Sequence, residues 1–112
     1  MLIVRDKISL EEIIKLEKEL YGDVTKAVVD IEKEIIAING EMHADEEALL
    51  LDEGSQQNNL WGININISSP NEYNIEFDSI INIRPRLDNR SRYVENPELR
   101  NKIIEILKKL IL

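Results

Sequence analysis

The sequence predicts an α+β protein in which about five strands form an antiparallel sheet. Three helices complete it, in the order βαββαββα, packed mainly on one face of the sheet. Three observations carry this prediction. Two stretches repeat their apolar residues with the helical period and open on capping signals. Two others alternate apolar and polar residues with period two. Between them lie two short runs rich in β-branched residues, spaced for a hairpin.

Leu2-Ile3-Val4 is the first short strand. Ser9 then opens a helix as N-cap, with Glu12 three positions on completing a capping box. Leu10, Ile13, Ile14, Glu17 and Leu20 form its buried stripe, interrupted only by Glu17, and Gly22 supplies the left-handed stop. Thr25–Ile31 and Glu34–Ile38 follow as strands about a tight turn at Glu32-Lys33, and Asn39-Gly40 ends the second. The next helix is expected from Ala44-Asp45 to Gly54, with Ala44, Ala48, Leu50 and Leu51 turned inward.

Trp61–Ile67 and Ile75–Ile83 alternate strictly enough to predict two strands with one buried face each, paired antiparallel across a loop at Ser68–Asn71. Asn64, Asn66, Asp78 and Asn82 would project from the other face. Arg84 to Glu95 has no periodicity and reads as loop. Asn96-Pro97-Glu98 then starts the last helix with a cap, a proline in the first turn and an acid at the positive end of the dipole. Leu99, Ile103, Ile106, Leu107 and Leu110 are its buried stripe.

A chain of 112 residues fits one domain, spanning 1–112. No apolar run reaches the roughly 18 residues needed to cross a bilayer, and the amino terminus does not read as a signal peptide, so the cytoplasm is the expected compartment and no membrane partner is expected. The absence of cysteine excludes disulfides, thiolate zinc sites and Cys-His chemistry. A net charge of −8 argues against a general nucleic-acid partner. That charge is unevenly spread. Residues 34–83 hold ten acids and no Lys or Arg, whereas residues 84–112 hold eight basic residues against four acids.

Four of the six arginines, Arg84, Arg86, Arg90 and Arg92, fall within nine residues. With Asn89 and Ser91 they form a candidate anion site, because the guanidinium fork grips carboxylate or phosphate with two parallel hydrogen bonds. The competing expectation is that they neutralise acids of the same chain, Asp78 or those of the second helix. Which counter-charge each guanidinium finds decides the role of the segment. His43, the only histidine, stands beside Asp45, Glu46 and Glu47, and on a helix an acid one turn on shares its face. His43, Asp45 and Glu47 are therefore the candidates for proton transfer, but three acids in a first helical turn are also what the dipole favours. No metal site is predicted, the pattern names no cofactor, and there is no phosphate loop, dinucleotide fingerprint or nucleophile elbow.

Several runs resemble a family of small prokaryotic proteins of unknown function: Lys26–Glu32, His43–Leu50, Leu60–Asn64 and Ser79–Pro85, with Asn89-Arg90-Ser91-Arg92 after it. The resemblance spans most of the chain and implies a stand-alone domain, without a reaction, substrate or cofactor. The functional expectation is a protein acting by binding or by self-association as a homodimer. The alternative is an enzyme or binding protein for a phosphate- or carboxylate-bearing small molecule held by the arginine-rich loop.

Overall fold

The computed structural model describes residues 1–18 and 24–112. Its strands are β1 (Leu2–Val4), β2 (Val24–Asp30), β3 (Ile35–Ile38), β4 (Leu60–Ser69) and β5 (Glu72–Glu76). Its helices are α1 (Leu10–Lys18), α2 (His43–Asp52) and α3 (Pro97–Leu110). The strands form one antiparallel sheet in the order β1-β3-β2-β4-β5, so the predicted class and element order hold.

The register sorts the sheet into two faces. Ala27 lies opposite Ile38 and Ile63, and Val29 opposite Ile36 and Trp61. These side chains, with Ile65, form the main core with Leu10 and Ile13 of α1 and Ile103, Ile106, Leu107 and Leu110 of α3. Two of the three helices thus share one face. On the other face Val28, Ile35, Ala37 and Leu60 pack with Leu50 of α2 and with Ile3 and Ile81.

The local signals act as their chemistry requires. Ser9 Oγ accepts the Glu12 amide at 3.1 Å, and Asn96 Oδ1 accepts the Glu98 amide at 2.9 Å. Ile8 and Ile111 pair as a parallel bridge, which ties the entry of α1 to the exit of α3. Glu17 is buried and accepts the Thr25 hydroxyl, so the polar break in the α1 stripe is matched by a donor from β2. The Gly22 stop and Leu20 lie outside the described residues.

The β2–β3 connection is wider than a two-residue turn. Asp30 Oδ1 accepts the amides of Glu32 and Lys33, its Oδ2 accepts Ser55 Oγ at 2.6 Å, and Glu34 takes a left-handed conformation at φ 56°. An aspartate at the strand end therefore does what Gly or Asn does in a shorter turn.

Two elements depart from the sequence prediction. The last strand ends at Glu76 instead of Ile83, and Ile80–Asn82 is a 3-10 turn. Helix α2 is rotated about its axis: Glu46 and Leu50 are buried, whereas Ala44, Ala48 and Leu51 face outward. Both departures shape the same surface.

Candidate functional site

Because β5 pairs only with residues 64–69 of β4, the first half of β4 lacks a strand partner on that side. Side chains from residues 78–94 replace it. Asn82 Oδ1 accepts the Gly62 amide at 2.8 Å while its Nδ2 donates to the Gly62 carbonyl at 2.9 Å, which reproduces both bonds of a β ladder with one carboxamide. Arg84 donates to the Leu60 carbonyl at 2.5 Å, two residues along the same edge. The close approach requires glycine at position 62, where a Cβ would lie 2.6 Å from Cβ and Oγ of Ser79.

Asn89 holds the rest of the segment. Its Nδ2 is shared among the carbonyls of Asn82, Ser91 and Tyr93 at 2.8–3.1 Å, and its Oδ1 accepts the Glu95 amide at 2.9 Å. Arg84 and Asn89 also exchange backbone bonds, closing a small loop around the 3-10 turn Pro85–Leu87 with Asp88 left-handed at φ 60°.

The outcome is a segment with inverted polarity. Asn82, Arg84, Asn89 and Ser79 are buried, at 0, 7, 3 and 1% exposure, whereas Ile80 and Ile83 are 68% and 43% exposed. Exposed aliphatic side chains are unremarkable singly, but here Asn82 between them and Ser79, Arg84 and Asn89 on either side take interior positions, beside Ile81 of the second core.

Each predicted anion-binding residue has a partner of its own chain. Arg84 NH2 meets Glu47 of α2 at 2.8 Å, with the two side chains 7% and 14% exposed, and its guanidinium carbon lies 5.3 Å from the centre of the Trp61 ring. Burial pulls the Arg84 pKa down, and the charge and hydrogen bond of Glu47 oppose that pull. Arg92 meets Asp78 through two bonds at 2.7 and 3.3 Å, and Arg90 meets Asp88 at 2.6 Å. The amides of Arg90 and Ser91 and the Ser91 hydroxyl all converge on one oxygen of Glu95, at 2.6–3.0 Å. The Ser91 hydroxyl bond, helped by these amides, holds the Glu95 carboxyl below its ordinary range. These donors are taken by the chain's own Glu95 carboxylate.

Arg86 is different. Its guanidinium donates to Asn58 at 2.9 Å and Gln57 at 3.3 Å, both neutral oxygens, and it forms no ion pair among the described residues. It stands at a cleft of about 440 Å³ between α2 and the segment, bordered by Glu47, Gln57, Ile80, Ile83, Arg84 and Arg86.

The three proton-transfer candidates do not converge. His43 Nε2 lies 2.7 Å from the Ile63 carbonyl, which requires Nε2 to carry the proton. Burial lowers its pKa despite that bond. Glu47 is committed to Arg84, and Asp45 lies on the opposite flank of α2, at a hollow it shares with Glu41 and Asp52. Among the described residues no group of three or more His, Cys, Asp or Glu could hold a metal ion.

The residue that pattern reading missed is Glu46. It is fully buried, its Oε2 accepts the Gly40 amide at 3.0 Å, and its Oε1 has no hydrogen-bond partner. Desolvation pushes its pKa up to about 9, against the Gly40 amide and the charge of Lys26, so it is protonated at neutral pH. A Cβ on Gly40 would lie 2.6 Å from Glu46 Cγ, so the Asn39-Gly40 turn signal also marks where the acid enters the interior.

Comparison with known protein families matches residues 2–110 to a family described as proteins of unknown function (DUF5674). The chain belongs to the DUF5674 family. No curated protein matches, and no solved structure does. DUF5674 membership brings no reaction, so the chemistry has to be read from the side chains themselves. No described helix is long and apolar enough to cross a membrane.

Proposed function

We propose that the chain works by binding another protein surface, through the face made by α2 and residues 78–94. One observation carries this reading: the segment is pinned by buried Asn82, Arg84 and Asn89 and displays Ile80 and Ile83 to solvent. A rigid presentation lowers the ordering cost of association, and covering an isoleucine contributes about 1.5–3 kcal/mol when burial is complete. Leu51, 39% exposed on the outer side of α2, is a further exposed apolar side chain on the helix. The polar residues beneath are scaffolding in this reading.

Photo-crosslinking in the native cell tests it, with a benzophenone amino acid replacing Ile80. Adducts are expected at position 80 and not at exposed Lys102 on α3, and Ile83→Asp should abolish them. Equal labelling at both positions, or none at position 80, would overturn the reading.

The small-anion alternative keeps one favourable residue, Arg86, the cation of the cluster without a carboxylate among the described residues. On that reading inorganic phosphate at millimolar concentration raises the melting temperature, and Arg86→Gln removes the effect. No shift with phosphate would dispose of it.

A further inference from the structure

Resting on the reading of this face as a binding surface, we infer that its occupant is a second copy of the same chain. The charge on either side of α2 supports a second copy. One flank carries Glu41, Asp45 and Asp52 around a shared hollow, and none of the three has a cation partner among the described residues. The other flank faces the cleft where Arg86 stands without a carboxylate. Leu51 is exposed on the helix, and Ile80 and Ile83 border the same cleft as Arg86. One surface thus holds an acidic edge on one side of α2 and, on the other, exposed isoleucines beside a basic group.

Such a surface complements itself in one orientation. A two-fold axis running parallel to α2 places the two helices side by side in the same direction and sets the acidic edge of each copy against Arg86 of the other. An axis perpendicular to α2 makes the helices antiparallel and sets acid against acid. The parallel arrangement is isologous, so each charge contact occurs twice, and it brings the exposed isoleucines of both copies into the same interface. Pairing across it sets register and orientation, and the exposed apolar groups supply the affinity.

Sedimentation equilibrium at low and high micromolar protein tests the inference. The wild-type chain should form a concentration-dependent dimer that weakens with added salt. Arg86→Glu and the double variant Asp45→Arg/Asp52→Arg should each be monomeric, because the contacts of position 86 with positions 45 and 52 become repulsive. A mixture of the two should dimerise again, since each copy then meets an opposite charge on both edges. All these positions are exposed, and circular dichroism confirms that the variants fold. A mixture that stays monomeric, or an Arg86→Glu variant that dimerises like wild type, overturns the inference. A wild-type chain monomeric throughout overturns it while leaving the binding face intact, because the crosslink at position 80 reads that face independently: an adduct of twice 13.0 kDa supports a second copy, and one of any other mass opposes it.

Discussion

Replacing Glu46 by Gln should make the protein more stable at neutral pH, although it alters a fully buried hydrogen-bonded residue. In the folded state the carboxyl titrates at about 9, against an ordinary 4.5. Between those values the native chain holds a proton that the unfolded chain has lost, so stability falls as pH rises, by about 1.4 kcal/mol per pH unit at most. The contribution is intact below the ordinary carboxylate range and is fully lost once pH passes the folded value. At pH 7 the interval above 4.5 corresponds to a penalty of about 3 kcal/mol. Glutamine has the same shape, keeps an oxygen for the Gly40 amide and needs no proton, so up to about that much stability should be recovered. Urea unfolding from pH 8 to 9 is the assay, a window above the ordinary histidine value, in which His43 contributes little. The expected result is a falling wild-type curve and a flat, higher curve for Glu46→Gln. A flat wild-type curve, or a variant less stable than wild type throughout, would refute the reasoning.

His43 should act with the opposite sign. Its lowered pKa means that the unfolded state binds protons first, so stability drops as pH falls below about 6.5, and His43→Gln should flatten that acid limb in urea titrations. Gly62→Ala should cost about 1–3 kcal/mol through collision with Ser79, and Ser79→Gly in the same chain should recover part of the loss. Arg84→Met should cost about 3–5 kcal/mol, because it strands the largely buried Glu47 carboxylate as well as the Leu60 carbonyl; adding Glu47→Leu should recover much of it in denaturation experiments. Arg90→Ala, at an exposed pair, should change the unfolding free energy by less than about 0.5 kcal/mol in urea titrations.

The sequence was legible wherever one local rule decided the outcome. The Ser9 and Asn96 caps, the amphipathic stripe of α3 and the alternation from Trp61 to Ile67 each settle an element within a few residues, and each is found in place. It was misleading wherever two local choices were nearly equal. The residues of α2, His43–Asp52, have no strongly apolar face, so the alanines and Glu46 competed for the interior, and the Gly40 amide just ahead of the helix supplied the acid with a partner there. The alternation in Ile75–Ile83 promised a strand, but the Asn82 carboxamide satisfies Gly62 by itself and releases the backbone to turn.

The arginine cluster shows both sides of this. Its density correctly marked a segment rich in charge-assisted bonds. Two of its partners are Glu47, 37 positions away, and Asp78, 14 positions away, pairings that only the tertiary fold creates, whereas Asp88, the partner of Arg90, is two positions away. Asp88 and Glu95 were both close in sequence, the local clues that the loop carries its own acids.

The inverted polarity of residues 78–94 is tested most directly by comparing two variants in denaturant at protein concentrations low enough to keep the chain monomeric. Ile80→Ser/Ile83→Ser should cost about 1–2 kcal/mol, because Ile80 and Ile83 are 68% and 43% exposed and only the covered part of each is lost. Asn82→Ala should lose about 3 kcal/mol or more, because both polar groups of Gly62 would be left buried without partners. Isoleucine variants that unfold the protein, beside an alanine variant that leaves it unchanged, would contradict the account.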